Sequence, residues 1–192
     1  MPTAPSLNPW VATYSGRQFF FLRATKDDIY IEDIAHGLSN ICRYVGQCHK
    51  NYSVAEHCVR AAQLAVDQPV ELKLAILLHD ASEAYLNDIP GLVKPLFTEY
   101  VDLERYLTYI IYKKYGVSKY VGDIVVKLYD KRMLQPEVLS LFPAPHPGWE
   151  FIEDHSPHAT TIFNPWSHKK AEREYLSMFK RLYHITPVRK KL

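Results

Sequence analysis

The chain has 192 residues, of which 47% are hydrophobic and 23% are charged, as in ordinary globular proteins. A chain of this length is expected to form one compact domain with a substantial core. The formal net charge of +2 sets no strong electrostatic bias, so composition does not predict nucleic acid as a partner. No segment approaches the roughly 20 apolar residues of a membrane span, so no membrane partner is expected either.

Cysteine usage and the first residues bear on the compartment. The three cysteines, Cys42, Cys48 and Cys58, are odd in number and have no CxxC spacing. This pattern argues against a disulfide framework and against a thiolate zinc site. The first ten residues lack the basic start and apolar core of a secretory signal. We therefore expect a cytoplasmic protein.

The front of the chain is predicted to contain the only strands. Residues 1–9, rich in proline and serine, predict a loose arm. Residues 11–22 contain two β-prone runs separated by a Ser-Gly turn, which predicts a short hairpin. Residues 31–46 carry apolar side chains at helical spacing and end at Gly46, which predicts a helix.

The rest of the chain is predicted to be mainly helical. Ser53 and Glu56 fit a capping box that begins a helix ending near residue 65. A long loop rich in proline and histidine is predicted over 142–166. The other predicted helices are 70–85, 100–115, 119–135 (capped by Ser118 and ended by Pro136) and a last one from about Ser167. The predicted fold is all-α with a short N-terminal β-hairpin.

The segment LAILLHDASEAYLNDIP, residues 74–90, places charged groups on an apolar helix. At 100° per residue, His79, Asp80 and Glu83 lie within one arc of about 100° that also contains apolar residues. Polar groups are costly to bury unless they are paired or bound to a metal. We therefore interpret His79 and Asp80 as two ligands of a divalent cation.

Two further ligands are sought on other inward helix faces. His57 shares its face with apolar residues and is the natural third ligand. Asp130 is favoured as the fourth, and Asp123, nearly on the same face, is its rival. Such a set suits Mn, Fe, Co, Ni or Zn better than Ca, without selecting among them. Such an ion lowers the pKa of bound water towards about 7, so we expect hydrolysis, most plausibly of a phosphate ester.

These motifs resemble those of the HD-domain phosphohydrolases, whose pattern is H…HD…D. The resemblance covers about residues 12–183 and is closest to small bacterial and phage members that act on deoxynucleotides. It implies an HD-domain helical bundle around one divalent transition metal. The matching segments are YSVAEH, LLHDASEAYLNDIP and VVKLYDKRML, which make His57, His79, Asp80 and Asp130 the implied metal ligands.

The resemblance also implies roles for residues around the metal. Glu83 and Asp88 match the catalytic carboxylates of the family, one acting on the attacking water and the other on the leaving oxygen. Arg43 matches an arginine near the substrate, where it would hold a phosphate, and Tyr44 follows it where an aromatic ring could stack on a base or sugar. Lys94 is a further phosphate-binding candidate.

The substrate class implied is a deoxynucleotide. The best single expectation is dATP, cleaved to deoxynucleoside and triphosphate, as in phage members of the family. The alternative is a 5′-deoxynucleotidase acting on monophosphates. A catalytically inactive HD module used for binding or regulation is a third hypothesis. The resemblance further implies a homo-oligomer, a dimer or larger, in a bacterial cell or a phage-infected host.

Overall fold

The computed structural model describes residues 8–144 and 159–185. The predicted hairpin is confirmed: β1 (Trp10–Ala12) pairs antiparallel with β2 (Gln18–Phe20), with Val11 opposite Phe19. The hairpin is attached to the core through Phe19, which is buried and stacks on Tyr85 with ring centroids 3.9 Å apart. The predicted loose arm lies almost wholly outside the described residues.

Beyond the hairpin the described chain is mainly helical, which confirms the predicted all-α class. No described helix is both long enough and apolar enough to cross a bilayer. The α-helices are α1 (Ile31–Asn40), α2 (Val54–Leu64), α3 (Val70–Leu77), α4 (Glu83–Leu86), α5 (Thr98–Lys114), α6 (Ile124–Arg132), α7 (Leu134–Leu141) and α8 (His168–Ile185). Short 3-10 turns lie at Lys26–Asp28, Tyr44–Gly46, Lys94–Leu96 and Ser118–Tyr120.

The core forms where α8 packs against α1, α2 and α3. The apolar stripe of α8 faces this core, since Ala171, Tyr175 and Phe179 are buried. The hydroxyl of Tyr175 donates a hydrogen bond to the carbonyl of Leu77 at 3.1 Å. The last helix therefore holds the end of α3, from which the chain enters the candidate site.

The predicted helix over 31–46 is too long, because α1 ends at Asn40. Beyond it the backbone is extended and bonds to residues 52–54 instead of to itself. The amide of Arg43 donates to the carbonyl of Tyr52 at 2.9 Å, and the amide of Val54 donates to the carbonyl of Ile41 at 3.1 Å. This pairing places Arg43 beside the start of α2.

The predicted helix over 70–85 is interrupted. α3 ends at Leu77, and α4 begins only at Glu83. Between them the backbone bonds reach back three residues rather than four: Ala81 donates to Leu78 at 3.0 Å and Glu83 donates to Asp80 at 2.9 Å. His79 and Asp80 therefore lie in a tight turn, not on a helix face.

The predicted helix over 119–135 is two helices. Asp123, not Ser118, caps α6, because its carboxylate accepts the amides of Val125 at 2.7 Å and Val126 at 3.4 Å. Pro136 does not end a helix but lies in the first turn of α7, where its missing N–H removes no helical hydrogen bond.

Only one of the two hydrogen bonds of the predicted capping box is present at the start of α2. Ser53 accepts the amide of Glu56 at 3.2 Å, as an N-cap should. The Glu56 carboxylate instead accepts the amide of Trp166 at 2.7 Å and binds Arg60. This contact anchors the end of the predicted loop 142–166, whose described parts are irregular and whose residues 145–158 lie outside the described chain.

The contact between α1 and α4 gives a stability prediction. A Cβ on Gly37 would lie 3.0 Å from both the Cβ and the carbonyl oxygen of Ala84. We expect Gly37→Ala to lower the free energy of unfolding by about 1–3 kcal/mol, because the backbone of α4 must shift. Gly91→Ala is the matched control, since its Cβ would enter open space. Equal urea midpoints for the two variants would contradict this packing.

Candidate metal centre

His57 is held rigidly inside the core by α2. Its side chain is fully buried, and its Nδ1 lies 2.6 Å from Oε1 of Glu137 on α7. A carboxylate only accepts hydrogen bonds, so Nδ1 carries the proton and donates it. The Nε2 atom of His57 therefore presents a lone pair to the interior.

His79 is oriented in the same way by a different partner. Its Nδ1 donates to the carbonyl oxygen of Ile76 at 2.7 Å, within the turn that follows α3. Its Nε2 is thereby also left with a lone pair, and it lies 3.2 Å from Nε2 of His57. Two lone pairs at this distance repel each other unless a cation or a proton lies between them.

Two carboxylates complete the cluster. Oδ2 of Asp80 is 3.1 Å from Nε2 of His79 and 3.7 Å from Nε2 of His57. Oδ1 of Asp130 is 3.2 Å from Nε2 of His57 and 3.6 Å from Nε2 of His79. Neighbouring ligands bound at about 2.1 Å to one ion lie about 3.0–3.4 Å apart and opposite ligands about 4.2 Å apart, so these separations of 3.1 to 3.7 Å fit a single metal ion. The structure thus brings together all four predicted ligands.

The charge around the cluster also fits a divalent ion. Arg43 lies between two carboxylates, with Nη1 3.4 Å from Asp80 Oδ2 and Nε 3.5 Å from Glu137 Oε2. With neutral imidazoles, the carboxylates of Asp80, Asp130 and Glu137 and the one guanidinium leave two uncompensated negative charges. Uncompensated charge is expensive in a protein interior, and one divalent cation would neutralise it.

Glu137 is the residue that sequence reasoning missed. It is fully buried and accepts hydrogen bonds from His57, from the Tyr44 hydroxyl at 2.5 Å and from the Tyr52 hydroxyl at 2.9 Å. The signal was present, because Glu137 is the one charged residue of α7, LQPEVLSL. It is the same signal, a charge on an apolar helix, that pointed to Asp80.

The electrostatics keep the inner carboxylates ionised. Burial alone would raise the pKa of Asp80, but the adjacent His79 lowers it to about 2. Burial would likewise raise the pKa of Asp130, but without a metal ion the pKa values of His57 and His79 are raised, and hydrogen bonds from their protonated Nε2 atoms hold the pKa of Asp130 well below its usual value. A bound metal ion would take the place of these two protons. The pKa of Glu137 is lowered in the same way, since Arg43 and His57 outweigh burial. Ionised carboxylates are the form that binds a metal.

The two predicted catalytic acids lie close enough to Asp80 for its charge to act on both. Glu83 and Asp88 both line a cavity of about 660 Å³ between α1 and α4. Burial, reinforced by the charges of Asp80 and Asp88, raises the pKa of Glu83, and burial also raises the pKa of Asp88. One oxygen of Glu83, Oε2, is buried without a hydrogen-bond partner among the described residues. Both acids are therefore placed to exchange protons with a bound molecule.

Three predicted substrate contacts are engaged inside the protein. Arg43 binds Asp80 and Glu137, as described above. The hydroxyl of Tyr44 bonds to Glu137, while its ring packs edge-on against Phe142 at 5.3 Å between centroids. Lys94 pairs with Glu83 at 3.3 Å and with Glu104 at 2.6 Å. In this arrangement the three side chains position the site's acids.

Two alternative ligands are disfavoured by the geometry. Asp123 uses its carboxylate to cap α6. Cys58 lies with Sγ 3.9 Å from Nδ1 of His79, but that nitrogen is already bonded to Ile76. Burial also raises the pKa of Cys58 to about 11, which keeps it a thiol rather than a metal-binding thiolate.

Comparison with known proteins finds two bacterial relatives, both described as uncharacterized. No family model matches it. It is 39% identical over 155 residues to the uncharacterized protein YfdR of Escherichia coli (strain K12), a match that covers 81% of this chain and 84% of YfdR. The chain belongs to the YfdR family. A second match, 38% identical over 115 residues, is to the uncharacterized protein RCAP_rcc00048 of Rhodobacter capsulatus, and it covers 56% of the YfdR-family chain and 59% of that protein.

Metal binding by this YfdR-family protein can be measured directly. We expect the protein, stripped with EDTA, to bind Mn²⁺ in calorimetry and to gain thermal stability with it. Asp130→Ala should weaken binding by more than about 100-fold, since loss of an outer-shell partner alone costs about 10–100-fold.

Asp123→Ala is the control on the same helix. It should cost about 1 kcal/mol of stability through loss of the cap but leave metal affinity unchanged. If Asp123→Ala loses the metal while Asp130→Ala keeps it, the ligand assignment is wrong.

Glu137 gives a prediction for stability against pH. Because its pKa is lowered on folding, its contribution is present above the unfolded value of about 4.3 and is lost as pH falls through the folded value. In metal-free protein we expect Glu137→Gln to cost roughly 1.5–3 kcal/mol at pH 7 and progressively less below about pH 4. Urea unfolding across pH measures this. Glu174→Gln, at an exposed pair, should cost less than about 1 kcal/mol, and a Glu137→Gln cost independent of pH would contradict the assignment.

Proposed function

We propose that this protein is a metal-dependent phosphohydrolase acting on deoxynucleotides. The observation that carries the proposal is the convergence of two imidazole lone pairs and two carboxylates next to a cavity lined by two further acids. The resemblance of these same residues to the HD-domain pattern supports it. A binding module would have no need of a buried Glu83 and a half-buried Asp88 near the cluster, with raised pKa values for both.

The proposed cofactor is one divalent transition metal, Mn, Co, Zn, Fe or Ni. His57, His79, Asp80 and Asp130 would hold it. When bound, such an ion supplies Lewis acidity towards water and a phosphoryl oxygen. The protein's own contribution is to fix the tautomer of both imidazoles through Glu137 and Ile76. Each imidazole then directs its Nε2 atom at the metal position.

The proposed reaction is hydrolysis of the ester bond between phosphorus and the 5′ oxygen. Water forms the new bond to phosphorus and loses a proton, and the bond from phosphorus to the 5′ oxygen breaks. The leaving oxygen gains a proton and becomes the hydroxyl of the deoxynucleoside. Glu83 and Asp88 are proposed to take the one proton and give the other. Lys94, bound to Glu83, acts as a positioning residue for that acid.

The substrate is proposed from the resemblance, with dATP, cleaved to deoxyadenosine and triphosphate, as the best expectation. A 5′-deoxynucleotidase acting on monophosphates is the alternative. The cavity beside Glu83 and Asp88, about 660 Å³ in volume, is in the range of small-molecule sites and supports either reading. We also propose that the protein works as a homo-oligomer, which sedimentation velocity would test.

A nucleotide panel tests the function. The protein is incubated with Mn²⁺ or Co²⁺ and each dNTP and dNMP, and the products are separated. Deoxynucleoside plus triphosphate identifies a triphosphohydrolase, whereas deoxynucleoside plus orthophosphate from monophosphates alone identifies a nucleotidase. Asp130→Ala should be inactive in both cases. Absence of turnover with every nucleotide, in protein shown to hold metal, would overturn the proposal and favour a binding module.

A further inference from the structure

A second cavity is lined directly by residues of the metal cluster. It has a volume of about 230 Å³ and lies between α5 and α6. His79, Asp80 and Asp130 line it, whereas Glu83 and Asp88 line only the larger cavity. None of the four proposed metal ligands lines the larger cavity, but the amide of Glu83 donates to the carbonyl of Asp80 at 2.9 Å, so an acid that lines it lies next to the cluster.

The smaller cavity contains a cation that nothing in the described chain neutralises. Lys127 lies three residues before Asp130, so the two share one face of α6 and both line this cavity. Within residues 8–144 and 159–185, Lys127 has neither an ion pair nor a side-chain hydrogen bond. It is exposed to solvent, which places its long side chain at the cavity opening.

Hydroxyl groups add donors around this cation. Thr108 and Tyr120 also line the cavity. Over the same described ranges, the Tyr120 hydroxyl makes no hydrogen bond, while the Thr108 hydroxyl bonds only to Ser82 at 3.2 Å. Ammonium and hydroxyl donors around a metal-binding cluster suit phosphate oxygens, which are strong acceptors.

The larger cavity has a different balance of charge, because the three aspartates that line the smaller one, Asp80, Asp123 and Asp130, lie beside Lys127 and the proposed metal ion. Glu83 and Asp88 contribute carboxyl groups to it, and the nearest lysine, Lys94, is already held by Glu83 and Glu104. No lysine or arginine is among the residues that line this cavity, so it offers no cation for a phosphate group. Asn40, Ile41 and Leu86 give it the mixed amide and apolar lining that suits an uncharged sugar and base.

We propose that the substrate lies across Asp80, with its phosphate end in the Lys127 cavity and its nucleoside in the cavity of Glu83 and Asp88. This inference rests on the proposed function and deepens it. It assigns phosphate recognition to Lys127, a residue that sequence reasoning did not single out, in place of Lys94. It also puts an acid within reach of the leaving 5′ oxygen, as the proposed reaction requires.

Lys127→Ala tests the orientation, and Lys131→Ala on the same helix is the matched control, since Lys131 is exposed but lines neither cavity. Calorimetry on Mn²⁺-loaded protein, with metal in excess, measures binding of inorganic triphosphate, inorganic phosphate and deoxyadenosine. We expect Lys127→Ala to weaken triphosphate by about 10–100-fold and deoxyadenosine not at all. Lys131→Ala should match the wild type with all three.

Kinetics gives a second, independent measurement. Lys127→Ala should raise KM for whichever nucleotide is turned over, with a smaller change in kcat, and Lys127→Arg should restore most of the loss. Equal phosphate affinity for Lys127→Ala and Lys131→Ala would overturn the orientation, as would weaker binding of deoxyadenosine to Lys127→Ala. An inactive wild type that still binds triphosphate through Lys127 would refute the proposed reaction alone, so the two failures are distinguishable.

Discussion

The hydrogen bond from His57 to Glu137 is the interaction on which the candidate site depends. It buries a carboxylate completely, and that cost is met only because Arg43 and two tyrosine hydroxyls converge on the same group. These partners come from the loop after α1 and from the start of α2, whereas Glu137 itself lies on α7. One buried charge therefore fixes three separate parts of the chain with respect to each other, and it fixes the direction of the His57 lone pair.

Charge compensation of this kind also distinguishes the metal cluster from the cavity lined by Glu83 and Asp88. Inside, Arg43 compensates part of the negative charge and leaves an amount suited to one divalent cation. Outside, Lys94 compensates Glu83 and leaves the pair of acids with raised pKa values. Arg43 and Lys94, which looked like free substrate contacts in the sequence, are thus structural counterions. Lys127 on α6 has no ion pair within the described part of the chain.

Much of this could be read from the sequence, and what could not has physical causes. Periodicity located the helices and the inward faces of His57 and Asp130, because burial of an amphipathic face is a local pattern. The turn at His79 was missed because it depends on a side chain bonding its own helix's carbonyl, which periodicity does not report. Glu137 was missed because its main partner, His57, is 80 residues away. The capping of α6 by Asp123 is a local feature and could have been predicted from the sequence, because the carboxylate bonds to amides only two and three residues further on.

The loop that carries Arg43 has a consequence for how the site opens. Tyr44 and Val45 adopt left-handed backbone conformations, with φ of 56° and 54°, and such residues cost about 1–2 kcal/mol each. The segment is therefore metastable, held in place by its bond to Glu137 rather than by its own preference. If that bond is lost, the loop lowers its free energy by relaxing, and the guanidinium of Arg43 moves away from Asp80. Local melting of the site should begin at this loop, well before the helices around it unfold.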